Sequence, residues 1–410
     1  MSVGDLSPRV LRASLSGVVD DGLDDDAVLR RFATVVWNAL TEPGDGVAGR
    51  LVGVLGPVEA LRAIVRDGGA PAAAAHAGVA SEEYVKGVAR WRLRMQRAAI
   101  DASLAAARRT GVRLVVPDDP EWPSQVDDLG AHGPLCLWVK GDPGVLARLQ
   151  PSVALVGARA ATGYGEHVVM ELAAELAGSG IPIVSGAAYG IDGMAHRAAL
   201  AAGGLTVALL AGGVDRPYPS GHAELIERIA LSGAAVSEVP CGSTPTKWRF
   251  LQRNRLISAL SDVTVVVEAG WRSGSLNTAG HAASLGRGLG AVPGPVTSAA
   301  SAGCHRLLRE FDARCITSAD DVRELLGLDG AVRAAAVDPE ASARPATDDR
   351  TRVRDALSVR VWRDAEDLAR RSGMSRSEVE SHLGLLRLEG EVDGGVQGWR
   401  RMTPVPRARG

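Results

Sequence analysis

VALVGARAATGYGEH, residues 153–167, opens on four consecutive apolar residues and then turns to glycine, arginine and small polar residues. An apolar run that short reads as a strand covered on both faces, with a glycine turn leading into a helix. The same pattern repeats outward. Apolar runs stand at Val153–Val156, Ile181–Val184, Thr206–Leu210, Ala234–Val236, Val263–Val267 and Leu289–Val292. Helix-like stretches lie near Glu166–Ala177, Gly193–Ala202, Glu224–Leu231, Arg253–Leu260 and Thr278–Leu285. Six strands alternating with helices predict an α/β fold, doubly wound, with a largely parallel sheet and helices on both faces.

On the N-terminal side, residues 1–112 read as a helical domain. The acidic cluster Asp20–Asp26 is a solvated segment or a helix start, Phe32, Val35, Val36, Ala39 and Leu40 fall on one helical face, and Glu82–Arg109 is one long amphipathic run. The strand-like LVVP (114–117) and the apolar run PLCLWVKGD (134–142) lead into the α/β domain, expected over 113–328. Residues 329–350 have the Ala, Pro and charge content of a linker. In 351–402, three short helices are expected, with Gly373 ending the second and Ser375 and Glu378 forming a capping box for the third. A Gly-rich hairpin follows, the order of a winged helix; residues 403–410 read as a tail.

Net charge is −2, so any nucleic-acid site has to be a local basic patch. The four cysteines (136, 241, 304 and 315) show no metal or disulfide spacing. The N-terminus has no signal-peptide pattern and no apolar run reaches membrane length. The expectation is a soluble, cytoplasmic protein with reduced thiols.

In such a sheet ligands bind where strands end and helices begin. After the first strand, Arg159 sits in a loop whose glycines allow either a tight turn or a phosphate cradle. The segment is neither G-x-G-x-x-G nor a Walker A loop. SGAAYGIDGMAH (185–196) brings Ser185, Gly186 and Gly190 to the same edge. Asp192 is expected to cap the next helix, and His196 to be a packed side chain. AGGVDRPYPSGH (211–222) reads as a rigid pocket wall. PTKWRFLQRNRLIS (245–258) is read as a loop entering a helix. It places Lys247, Arg249, Arg253 and Arg255 within nine residues, interleaved with Trp248 and Phe250. Cations contact phosphates and an aromatic face stacks an unpaired base; the alternative is that both rings are core anchors. EAGWRSGSLNTAGHA (268–282) offers Ser273, Gly274, Ser275 and Thr278 at a helix start, suited to capping, to phosphate, or to both. These loops show no metal-ligand cluster, nucleophile elbow or carboxylate pair, so neither catalytic residues nor a metal or cofactor are expected.

Together VGARAATGYG, SGAAYGIDGMAH, ALLAGGVDRPYP, SEVP, RFLQRNRLISALSDVTVVVEAGWRSGSLNTA and AVPGPV resemble the DprA/Smf family, over about Val153–Pro295. The resemblance implies an extended Rossmann-like domain that binds single-stranded DNA, protects incoming DNA and loads the RecA recombinase in natural transformation. It also implies a homodimer through that domain. It marks Arg159, Lys247, Phe250, Arg253, Asn254 and Ser273–Ser275 as DNA contacts, with Phe250 as the stacking ring. Tyr189 stands where the family pattern has Arg, and Leu251 where Pro is frequent. The segment upstream of the α/β domain resembles the family's SAM-like or helix-hairpin-helix region, and the winged helix an accessory domain of many members. Competing readings are a Rossmann-like nucleotide hydrolase and a winged-helix transcription regulator.

Overall fold

The apolar runs assemble into one sheet, whose strands among the described residues are β1 (Val112–Val115), β2 (Leu137–Gly141), β3 (Val153–Val156), β4 (Ile183–Ser185), β5 (Thr206–Leu210), β6 (Ala234–Ser237), β7 (Val263–Val266), β8 (Gly288–Ala291) and β9 (Arg314–Cys315). The spatial order is β1-β2-β6-β5-β4-β3-β7-β8-β9. From β6 to β9 every pairing is parallel. β2 pairs antiparallel with both β1 and β6, so the sheet is mixed and mostly parallel. The two-residue, exposed β9 was announced by no apolar run, because an edge strand that buries nothing leaves no hydrophobic signature. The computed structural model describes residues 7–66, 71–328 and 349–402, and the chain divides into two compact units, Met1–Asp329 and Gly330–Gly410.

Strand alternation distributes side chains to two cores. Val153 and Leu155 of β3 enter the cluster formed with α7 (Gly163–Gly178) and α8 (Ile191–Ala201), through Val169, Leu172, Leu176 and Ala195. Ala154 and Val156 enter the cluster on the opposite face, which also takes Leu256, Ile257, Ala279 and Ala282. The chain winds from β3 through β4 and β5 to β6, then returns to the other side of β3 as β7, β8 and β9. Neighbours β3 and β7, in register from Val153↔Val263 to Val156↔Val266, therefore send their outgoing loops in opposite directions, which opens a crevice at their C-terminal ends.

The N-terminal residues form six helices among those described, from Pro8–Leu15 to Arg97–Arg109. Asp24 caps the second, accepting the Ala27 N–H at 2.6 Å, so the acidic cluster is a helix start. The run Glu82–Arg109 is two helices, Ser81–Leu93 and Arg97–Arg109, where the sequence showed one amphipathic stretch. The break at 94–96 lets Trp91 and Ile100 enter the same core. That core also holds Phe32, Trp37 and Leu40 together with Trp138, Leu210 and Ile229 of the sheet region. Asn38 joins the two parts, donating to Glu238 O at 2.7 Å and accepting from Trp138 Nε1 at 2.9 Å.

The second unit is a winged helix: helices Asp349–Ala356, Ala365–Ser372 and Arg376–Leu388, then a hairpin of Val392–Gly395 with Gly398–Arg401. Gly373 ends the second helix in the left-handed region (φ 68°), and the Ser375–Glu378 capping box opens the third, both as the sequence predicts. The linker and tail readings at 329–348 and 403–410 lie outside the described residues. No helix among the described residues is long and apolar enough to cross a membrane.

Candidate nucleic-acid interface

A cleft of about 970 Å³ lies at the C-terminal ends of β3 and β7. Its first wall is the loop after β3, carrying Arg159. Two contacts fix that loop. The Glu268 carboxylate at the end of β7 accepts the Thr162 N–H at 2.9 Å and the Thr162 hydroxyl at 2.6 Å. Gly190, at φ 73°, approaches so closely that a Cβ there would lie 2.3 Å from Ala158 O, and the next N–H, of Ile191, donates to that oxygen at 3.2 Å.

The second wall is α10 (Lys247–Ala259), capped by the Thr246 hydroxyl, which accepts the Arg249 N–H at 3.2 Å. The segment from Lys247 onward is thus helix, not the loop its basic and aromatic composition suggested. Helical spacing turns Lys247, Phe250, Leu251 and Asn254 to one side, and all four line the cleft. Arg249 points elsewhere, into a bidentate pair with Glu42 at 3.0 and 2.9 Å. Arg94 meets the same carboxylate at 2.8 Å. Burial acts to raise the Glu42 pKa, but the two guanidinium groups outweigh it and hold the carboxyl below its ordinary value.

Phe250 is the centre of the site. The Arg159 guanidinium carbon lies 5.0 Å from its ring centroid and that of Arg253 lies 5.9 Å away, both within cation–π range. Tyr218 packs beside it at 5.7 Å with the rings inclined by 59°. Arg253 is only 6% exposed, yet its Nη1 donates to Leu209 O at 2.8 Å and its Nε has no hydrogen-bond partner. Burial pushes this guanidinium down to about 10; Asp192 acts against that and Arg159 adds to it, so it stays charged at neutral pH. Arg159 and Lys247 form no ion pair among the described residues.

The third wall is the start of α11 (Ser275–Ser284). Its N-cap residue, Gly274, supplies no side-chain cap, and the first-turn N–H groups are taken locally: that of Ser275 by the Ser273 hydroxyl at 3.4 Å, that of Leu276 by Ser273 O at 3.2 Å and that of Asn277 by Gly274 O at 3.1 Å. The Ser273 and Ser275 hydroxyls lie 2.8 Å apart, and Asn254 donates to Asn277 Oδ1 at 3.2 Å. With Thr278 these residues line the cleft.

Nine of the expected contact residues therefore meet: Arg159, Lys247, Phe250, Arg253, Asn254, Ser273, Gly274, Ser275 and Thr278. Four do not line the cleft. The Ser185 hydroxyl is buried and donates to Leu155 O at 2.6 Å. Gly186 is a spacer, since a Cβ there would stand 1.8 Å from Arg253 Nη1. Gly190 supports the Arg159 loop. Arg255, 3% exposed, faces away and forms a double pair with Glu238, 2.7 Å at each nitrogen. Helix α8 begins at Ile191 with Gly190 as its N-cap, so Asp192 is a first-turn residue rather than the cap. Its carboxylate accepts the Gly186 N–H at 3.1 Å, and burial raises its pKa against the pull of Arg253 and of backbone donors. Among the described lining residues it is the only carboxylate. His196 is buried beside Thr206, as expected of a packed side chain, and burial pushes its pKa down to about 3. Tyr218 was missed: the Gly/Pro loop that carries it was read as a wall without chemistry, although one of only four tyrosines at a ligand edge was a usable signal.

The family model described as DNA recombination-mediator protein A matches residues 113–327, and that of the DprA winged helix domain matches 337–394. A Mycobacterium tuberculosis protein named for DNA processing as DprA is 43% identical over 372 residues, covering 88% of this chain and 92% of its own. The Bacillus subtilis DNA processing protein DprA is 37% identical over 223 residues, 54% of this chain and 74% of that one. The crystal structure of DNA processing protein A from Streptococcus pneumoniae is 28% identical, with a TM-score of 0.57, covering 72% of this chain and 96% of that chain. The parallel sheet, the winged helix and identity running through nearly the whole length of a relative agree: this chain belongs to the DprA/Smf family of DNA-processing proteins.

Proposed function

We propose that the cleft binds single-stranded DNA without sequence preference, and that the protein protects incoming DNA and delivers it to the RecA recombinase during transformation and recombination, as a homodimer through the sheet domain and without catalysis of its own. The observation that carries this reading is the Phe250 ring with Arg159 and Arg253 against it and Lys247 one helical turn away. A π-face accepts any unpaired base, while the cations and the Ser273 and Ser275 hydroxyls beside them suit the phosphates on either side. The recombinase step is supported by the family description as a recombination mediator.

The test is a titration of labelled oligo-dT and of duplex DNA at several salt concentrations. The expected result is preference for the single strand with a log–log salt slope of about −0.7 per phosphate neutralised. Preference for duplex DNA of defined sequence would favour regulation through the winged helix, and turnover of a mononucleotide would favour the hydrolase. Purified RecA should then form filaments faster on coated oligo-dT in the presence of this protein.

A further inference from the structure

Asp192 is an acid among cations. The other charged residues that line the cleft are Arg159, Lys247 and Arg253, and among the described residues Asp192 forms an ion pair with none of them. A carboxylate in that place opposes a phosphate unless the protein itself holds its charge. Asp192 is buried, and its partners are backbone groups. The Gly186 N–H, after β4, donates to it at 3.1 Å. Burial raises its pKa; Arg253 acts most strongly against that, followed by the N–H groups of Ala188, Gly186 and Gly157.

These donors belong to the two loops that place the cations around Phe250. Gly157 ends β3 and stands just before Ala158 and Arg159. Its N–H faces Asp192, while Ala158 O accepts the N–H of Ile191, the neighbour of Asp192, at 3.2 Å. The first turn of α8 therefore grips the Arg159 loop by consecutive backbone groups. Gly186 serves the other cation. The absence of a side chain there makes room for Arg253, since a Cβ would stand 1.8 Å from Nη1. Fixing the Gly186 N–H on Asp192 fixes that space, in which Arg253 donates to Leu209 O at 2.8 Å. Charge adds to geometry. Arg159 and Arg253 repel one another around one ring, and a buried guanidinium without a counter-charge is costly. The Asp192 anion offsets both terms at Arg253, and its hydrogen bonds hold the loop that carries Arg159.

Building on the single-strand reading of the cleft, we propose that Asp192 is its positioning residue: through the N–H groups of Gly157 and Gly186 it holds Arg159 and Arg253 against the Phe250 ring, and it touches no DNA itself. The acid is then what preorganises the cations, rather than a charge that the strand has to overcome.

Fluorescence anisotropy with labelled oligo-dT tests this on the full chain. Asp192→Asn and the smaller Asp192→Ser are each made in three backgrounds: wild type, Arg159→Ala and Lys247→Ala. In the wild-type background either change should weaken binding about tenfold, on the scale of lost hydrogen bonds to a charged group. The log–log salt slope should flatten by up to about 0.7, the share of one phosphate contact. With Arg159 already removed the same change should cost only about twofold, because the two residues are coupled. With Lys247 removed it should still cost about tenfold, since Lys247 opens α10 away from that carboxylate. A general packing defect would give equal losses in all three backgrounds, and that result would overturn the proposal. Wild-type or tighter binding by Asp192→Asn would overturn it too, by showing that the carboxylate merely opposes phosphate. Loss of folding in both variants would make Asp192 a requirement of the fold and likewise sink the positioning role. Each of these results leaves the cleft reading intact, whereas a wild-type protein that fails to bind oligo-dT removes the cleft reading and the role of Asp192 together.

Discussion

The guanidinium carbon of Arg159 lies 5.0 Å from the centroid of the Phe250 ring, although one residue comes from the loop after β3 and the other from the first turn of α10. A flat ring flanked by a charge that carries no carboxylate partner has the chemistry that the proposed binding of a stacked base and its phosphate requires. The two parts of that receptor are separable by experiment. Phe250→Ala should cost about 1–3 kcal/mol of single-strand affinity with the salt slope unchanged, whereas Lys247→Ala should flatten the slope by about 0.7. Measured isotherms at four or so salt concentrations decide it, and a Phe250→Ala protein with wild-type affinity would sink the stacking role.

Gly186→Ala should weaken DNA binding although the residue does not line the cleft. Its Cβ would meet Arg253 Nη1 at 1.8 Å and Cζ at 2.4 Å, so the guanidinium has to leave the Leu209 carbonyl. About a tenfold loss in affinity is expected, with about 1–3 kcal/mol of destabilisation from overpacking in a urea melt. Wild-type behaviour in both measurements would show that Arg253 relocates at no cost.

Arg255→Ala separates the two neighbouring arginines. Removing Arg255 strands the Glu238 carboxylate, whose side chain is 8% exposed, and also removes two donors from His132 O. A loss of about 3–5 kcal/mol in folding free energy is expected, with an unchanged salt slope for whatever protein remains folded at low temperature. A flattened slope would mean that Arg255 reaches phosphate after all.

The Glu42 pair makes a pH prediction. Its pKa in the folded state lies below the ordinary 4.5, so its contribution to stability is present above the unfolded value and is lost as pH falls through the folded one. Urea midpoints of wild type and Glu42→Gln should therefore differ at pH 7 and converge only as pH falls below the ordinary 4.5 and through the lower folded value. A gap that stays constant with pH would show that the carboxylate charge contributes nothing to holding Arg249 and Arg94.

Sequence alone determined the sheet, because strands buried on both faces must be continuously apolar, as in Val153–Val156 and Val263–Val266. It also determined the wing and the capping box of Ser375 and Glu378, which depend on contacts only a few residues apart. Which cations face the ligand was decided by the tertiary structure. Arg249, Arg253 and Arg255 look alike in the chain, but helical phase turns one to Glu42, one under Phe250 and one to Glu238. The same limit hid Tyr218, whose ring reaches Phe250 only because a loop and a helix distant in sequence converge at one sheet edge. Spacing along a strand or a helix is a local property that a sequence carries. Partner choice among identical charges is settled only when remote segments pack, since burial and the nearest opposite charge fix where each side chain rests.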